Sequence, residues 1–303
     1  MHILANPISN ENTASSRIRC YRFLQYMGKE HLISIIKPKT TRRVDLYYVQ
    51  KNAYIQTVKE AAEYRMNSIP VVYDIDDDFG VWPDMYEKSM LEIAHAITTD
   101  TIERKIYLEN YTNKPVYVIP DAVDYVSQNE SPVILRNKIE VVGTFGVTDI
   151  FKPYLESIYG RYKIYYISTP IPSLSAFARL DWKLDTFINT LKEFDVCVLI
   201  HPNDNKGNMK SNNRLLVCMA IGLPCIVSNT PAYVNTMKEI GLDMLIAKQP
   251  SDVPIILDRL QDPTVRLEIS DKFIQYAWNN YSPQRSSKTL EDLFKYLVGK
   301  ICA

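Results

Sequence analysis

Four short polar stretches carry residue types that can do chemistry. Residues 210–214, Lys-Ser-Asn-Asn-Arg, set two cations and three small polar side chains where the apolar positions Leu215, Leu216 and Met219 begin. The spacing predicts a short helix, capped by Ser211 or Asn212 and stopped at Gly222 and Pro224. A helix start carries unpaired N–H groups and partial positive charge, so Lys210 and Arg214, with Asn213 between them, can clamp a diphosphate. A solvated surface helix would use the same residues. Residues 143–146, Gly143, Thr144, Phe145 and Gly146, end an apolar strand in two glycines three apart, either a backbone cradle for a phosphate or a tight turn. Residues 74–78, Asp-Ile-Asp-Asp-Asp, put four carboxylates after an apolar strand. Such crowding needs donors, cations or water, so Asp76 and Asp77 could hold a divalent metal or belong to a solvated strand end with an aspartate helix cap. Residues 6–19 form a polar loop holding Asn10 that enters a helix through Ser16, Arg17 and Arg19. Two cations in a first helical turn oppose the helix dipole unless an anion lies nearby.

The elements that must position these residues are short β-branched runs alternating with amphipathic helices, the pattern of parallel sheets covered on both faces. Strands are expected at 2–5, 32–36, 46–49, 71–74, 96–99 and 116–119, and again at 139–143, 163–167, 196–200, 225–227 and 244–246. The two sets are separated by the polar, proline-bounded segment 120–132, which reads as a linker. The expected organisation is an α/β chain of two doubly wound lobes: residues 1–125, residues 133–278, and a terminal helix over residues 279–303. That helix places Leu290, Leu293, Phe294, Leu297, Val298 and Ile301 on one stripe. Ligands of doubly wound sheets bind at the carboxyl ends of strands, where residues 143–146, 74–78 and 6–19 fall, as do residues 96–100.

Residues 195–233 resemble the donor-binding region of GT-B glycosyltransferases of the large retaining group called family 4. The strand Asp-Val-Cys-Val-Leu-Ile-His-Pro ending at Pro202, the helix from Lys210 and the subsequent Ser-Asn-Thr-Pro-Ala-Tyr loop ending at Tyr233 match in order. Gly-Thr-Phe-Gly resembles the loop that opens the family's donor lobe, Ile-Pro-Asp-Ala-Val-Asp at 119–124 its hinge, and Tyr-Asp-Ile-Asp-Asp-Asp at 73–78 a first-lobe site loop. Residues 96–100 are similar to an architectural strand end. The resemblance implies two Rossmann-like lobes facing a cleft, with the terminal helix crossing back to the first lobe. It implies Lys210, Arg214 and residues 143–146 on the donor diphosphate, Ser211, Asn212 and Asn213 beside them, and Asn10, Ser16, Arg17, Arg19, Asp76 and Asp77 on the sugar and acceptor side. One departure stands out: the family's ribose-gripping glutamate is replaced by Val217, and its earlier glutamate is also missing, its place near Met209 and Lys210 being basic.

Composition narrows the function further. The 303 residues suffice for two domains, and 35 acidic side chains balance 35 basic ones, so no global field attracts nucleic acid or anionic lipid. No apolar run reaches the length of a membrane span, and the start Met-His-Ile-Leu-Ala reads as a strand, giving a cytoplasmic expectation. The five cysteines lack a Cys-x-x-Cys pair, and Cys197, Cys218 and Cys225 sit in apolar runs, as reduced core residues do. The four histidines have no metal-ligand spacing, so neither a metal nor a cofactor is expected. The reading is transfer of a sugar from a UDP- or GDP-linked donor to a hydroxyl of a glycan, a lipid-linked or another acceptor. A catalytically silent glycan- or nucleotide-binding module would explain Val217. An epimerase or dehydrogenase would need a Gly-x-Gly-x-x-Gly turn that the first strand lacks.

Overall fold

The computed structural model describes residues 1–35, 43–77 and 85–301. The end of the strand expected to reach Ile36, and Asp78 of the acidic run, lie outside the described residues. The chain divides into two compact units: Met1–Ala122 with Pro283–Ala303, and Val123–Ser282. The expected linker 120–132 is thus split, with residues 123–132 belonging to the second unit.

Each unit is built on a six-stranded sheet. The first holds β1 (His2–Pro7), β2 (Leu32–Ile35), β3 (Leu46–Gln50), β4 (Val71–Asp74), β5 (Ala96–Thr99) and β6 (Val116–Val118), in the order β2-β1-β3-β4-β5-β6. The second holds β7 (Val141–Phe145), β8 (Lys163–Ile167), β9 (Ala178–Leu180), β10 (Val196–Leu199), β11 (Cys225–Ser228) and β12 (Ile246–Ala247), in the order β12-β11-β10-β7-β8-β9. Every ladder is parallel. The strand order reverses between β1 and β3 in the first sheet and between β7 and β10 in the second. In doubly wound sheets ligands settle at the carboxyl ends beside such reversals.

Side chains alternate across the first sheet. Ile3, Ala5, Leu46 and Tyr48 face a core shared with Phe23, Leu24 and the helix Pro283–Ile301, which buries Leu290, Leu293, Phe294 and Leu297. Leu4, Tyr47, Val49 and Tyr73 face the opposite core under the helix Ile55–Met66. The terminal helix therefore packs on the first unit, as its apolar stripe requires, and Ser287 Oγ donates to the Phe23 carbonyl at 2.6 Å. The second unit has one continuous core drawn from residues 123–277. Cys20, Cys197, Cys218 and Cys225 are free and buried. Among the described residues no helix is long and apolar enough to cross a membrane.

Candidate active site

In the second unit the helix Asn213–Ala220 starts beside the carboxyl ends of β7 and β10. Arg214, in its first turn, donates from Nη1 to the Phe145 carbonyl at 3.0 Å and from Nη2 to the Ile200 carbonyl at 2.9 Å, spanning the strand reversal. Its guanidinium lies over the Phe151 ring at 5.6 Å. Gly146 has φ of 133°, and a β-carbon there would sit 3.0 Å from Arg214 Nη1, so glycine both permits the backbone turn and makes room for the cation. A guanidinium carries five N–H donors, so these two carbonyls leave it donors for an anion.

The rest of the expected donor set is placed differently. Gly143 lies inside β7, where a β-carbon would come within 2.0 Å of Phe194 Cδ2, so packing rather than phosphate approach accounts for this glycine. Thr144 Oγ1 donates to the Val198 carbonyl at 2.7 Å, Phe145 is buried, and the Gly146 N–H donates to the Ile167 carbonyl at 3.3 Å. The backbone cradle expected at 143–146 is thus committed to the sheet, and Arg214 is the group standing at its end. Asn212 holds the N-cap position, but its amide donates to Thr236 Oγ1 at 2.9 Å instead of capping. Ser211 Oγ accepts from the Asn213 N–H at 3.4 Å. Lys210 and Asn213 are partly exposed, and Asn213 Nδ2 is a buried amide nitrogen without a hydrogen-bond partner. Nearby, His201 stacks on Tyr233 with ring centroids 4.3 Å apart, and the Tyr233 hydroxyl is likewise buried and unpartnered. Burial, with the Arg214 and Lys210 charges, pushes His201 down to about 2. Val217 is 1% exposed within the core, so an apolar side chain suits its position.

The first unit gathers carboxylates and cations at the ends of β3 to β6. Arg19, expected on the sugar and acceptor side, sits in a π-helical segment, Arg17–Arg22, and is buried. It donates to both Asp74 oxygens at 3.0 and 2.6 Å, to the Ile119 carbonyl at 2.5 Å and to Asp121 Oδ1 at 3.1 Å. Arg17 is also buried and donates to the Glu11 carbonyl at 2.9 Å. Ser16 Oγ donates to Gln50 Oε1 at 2.9 Å, and Asn10, exposed, accepts from the Asn12 N–H at 3.0 Å. The acidic run finds separate partners: Asp74 pairs with Arg19 and takes the Thr98 hydroxyl at 2.6 Å, while Lys51 Nζ lies 3.6 Å from Asp76 and 2.9 Å from Asp77. Asp76 is mostly buried, and half-exposed Asp77 offers the accessible carboxylate.

Sequence reasoning missed one member of this cluster and read another as architectural. Lys51 adopts φ of 55°, a left-handed conformation that a non-glycine residue holds only under constraint and that clusters at functional sites. Its signal was a Gln-Lys-Asn end to an apolar strand. Asp100 pairs with Arg104 at 2.8 Å, both fully buried. Burial outweighs that cation and pushes Asp100 up to about 8, with Asp121 and Asp76 adding to the rise. Burial and the Asp74 charge also raise Asp76 against the pull of Lys51. Elsewhere in this unit, Glu30, His31 and Glu291 come close enough to share a cation, but Lys295 Nζ lies 2.6 Å from Glu291 and 3.4 Å from Glu30 and already supplies that charge.

Comparison with solved structures decides the fold. An O-GlcNAc transferase mutant of Thermobaculum terrenum superposes over 99% of this chain and 68% of its own, with a TM-score of 0.62 at 10% identity. The N-terminal domain of Candida albicans trehalose-6-phosphate phosphatase matches over 98% and 99%, with a TM-score of 0.63 at 10% identity. An E. coli trehalose-6-phosphate protein bound with UDP-2-fluoro glucose matches over 90% and 75%, with a TM-score of 0.59 at 12% identity. The fold is that of the GT-B glycosyltransferases. No protein-family profile matches the chain, and no curated protein matches it in sequence.

Proposed function

We propose that this chain moves a sugar from a nucleoside-diphosphate donor, UDP- or GDP-linked, to an acceptor hydroxyl. The observation that carries this reading is Arg214, set across the ends of β7 and β10 where the strand order of a GT-B sheet reverses. The similar E. coli structure holds UDP-2-fluoro glucose, and the Thermobaculum relative is an O-GlcNAc transferase. Breaking the anomeric C–O bond leaves its electron pair on the diphosphate, and Arg214 and Lys210 neutralise that charge. The acceptor oxygen bonds to the anomeric carbon, and its proton passes to a donor phosphate oxygen on the same face, which retains configuration. Asp77, held by Lys51 and half-exposed, orients acceptor hydroxyls, with Asp76 behind it. Cationic side chains meet the leaving group's charge, so the scheme calls for no metal. Buried free thiols suit a reducing compartment, and we place the reaction in the cytoplasm.

A second reading, a silent binding module, draws on Val217, whose buried apolar side chain cannot hold a ribose. One experiment separates the two. Screening UDP, GDP and their sugars for thermal stabilisation and hydrolysis is expected to find one nucleotide that binds and one sugar that is released, in EDTA as in buffer. Arg214→Ala should lose on the order of 2 kcal/mol of that binding. Binding without turnover would favour the silent module. Strict dependence on Mn²⁺ or Mg²⁺ would move the role of Asp76 and Asp77 to metal binding.

A further inference from the structure

The strand order of the first sheet reverses between β1 and β3, and a cavity of about 220 Å³ lies between those strands and the first turns of the helix Ile55–Met66. Its polar wall is a continuous chain of hydrogen bonds from Thr57 to Gln56. Asn52 Nδ2 donates to Asn6 Oδ1 at 2.8 Å, and Asn6 Nδ2 donates to the Tyr47 hydroxyl at 2.7 Å. Tyr47 donates to Glu60 Oε2 at 3.3 Å, Gln56 Nε2 donates to Glu60 Oε1 at 3.0 Å, and Thr57 Oγ1 donates to Asn52 Oδ1 at 3.1 Å. Leu4, on the same face of the sheet as Tyr47, supplies the apolar part of the wall.

We propose that this cavity is a subsite for one neutral pyranose, the acceptor sugar, a proposal that rests on the transferase reading. Three features fit a sugar ring. Amides and hydroxyls both donate and accept, as each sugar hydroxyl does, so a ring can enter the existing chain of hydrogen bonds without stranding a partner. Leu4 suits the C–H face of a pyranose, and about 220 Å³ is room for one ring. No described lining residue is a cation while one, Glu60, is a carboxylate, so the cavity offers nothing to a phosphate or sulfate. It flanks the strand reversal, whose carboxyl end is where doubly wound sheets take ligands. Lys51 and Asn52 are consecutive, so the Lys51–Asp77 pair lies at the same strand end as the cavity.

The test uses the full chain and a panel of methyl glycosides of glucose, galactose, mannose and N-acetylglucosamine, read by saturation-transfer NMR and calorimetry, with UDP and GDP titrated in parallel. At least one glycoside is expected to bind. Asn52→Ala and Glu60→Gln should weaken it tenfold or more, and Gln56→Ala, at the exposed rim where folding is safe, about threefold, all with unchanged nucleotide affinity. A wild-type chain that binds no glycoside, or one whose affinity is the same in all three variants, overturns the subsite. Nucleotide binding without glycoside binding does so too, while leaving the transferase reading standing. Glycoside binding that the variants weaken, in a chain that binds no nucleotide, upholds the subsite and removes the transferase reading.

Discussion

Single side chains at the two strand-end clusters hold protonation states that differ from those of the unfolded chain. His201 is the clearest, since its ring is buried against Tyr233 and faces the Arg214 and Lys210 charges, so the folded state keeps it neutral. An unfolded histidine titrates near 6.5, and the folded one near 2. Between those values the unfolded chain binds the extra proton, so stability is full above about pH 6.5 and falls as the solution is acidified. By pH 5 the loss attributable to His201 should reach about 2 kcal/mol. Urea midpoints of the wild type and His201→Gln, compared from pH 7.5 to 5, check this: the variant should show a slope shallower by one proton. Parallel slopes would mean that the ring charges freely in the fold. Much of this cluster was legible in the sequence, because Lys210 to Arg214 mark a helix start by type and spacing. The inward turn of Arg19 was not, since its partners Asp74 and Asp121 lie 55 and 102 positions away.

At the scale of elements, the strands were readable because parallel sheets bury both faces and leave near-continuous apolar runs, as at Val71–Asp74 and Lys163–Ile167. The edge strand Ala178–Leu180 was not, being short and largely exposed. Gly143 shows how an element can mislead. Its position at the end of an apolar run resembles a phosphate turn, yet it is a mid-strand residue whose missing side chain admits the Phe194 ring. Alanine in an open strand would gain about 0.5–1 kcal/mol over glycine. Here overpacking wins, because the ring of Phe194 is itself buried and cannot retreat, and Gly143→Ala should cost about 1–3 kcal/mol. Equilibrium unfolding of Gly143→Ala in the wild-type and Phe194→Leu backgrounds measures the coupling: the penalty should shrink in the second. A neutral Gly143→Ala with weakened nucleotide binding would return the glycine to the ligand.

For the whole molecule, the question is how the chain serves two cores with one return. The second unit's core comes from residues 123–277, and its two ends are joined, the Val123 N–H donating to the Tyr281 carbonyl at 2.8 Å. It is thus built like an insertion, with residues 122 and 283 of the first unit brought near one another. The first unit depends on the stretch of chain beyond that insertion. Leu290, Leu293, Phe294 and Leu297 complete its core, and four such side chains are worth about 6–12 kcal/mol of burial. That equals the whole stability of a typical domain, about 5–15 kcal/mol, so residues 1–122 alone should not fold. Residues 1–122 joined to 283–303 through a short glycine–serine linker should fold, and so should residues 123–282 by themselves. Circular dichroism and urea unfolding of the three fragments decide the matter: a cooperative transition is expected for the linked chain and for 123–282, and none for 1–122. Cooperative unfolding of 1–122 would show that the terminal helix only decorates the first unit, and failure of the linked chain would show that the two units fold as one.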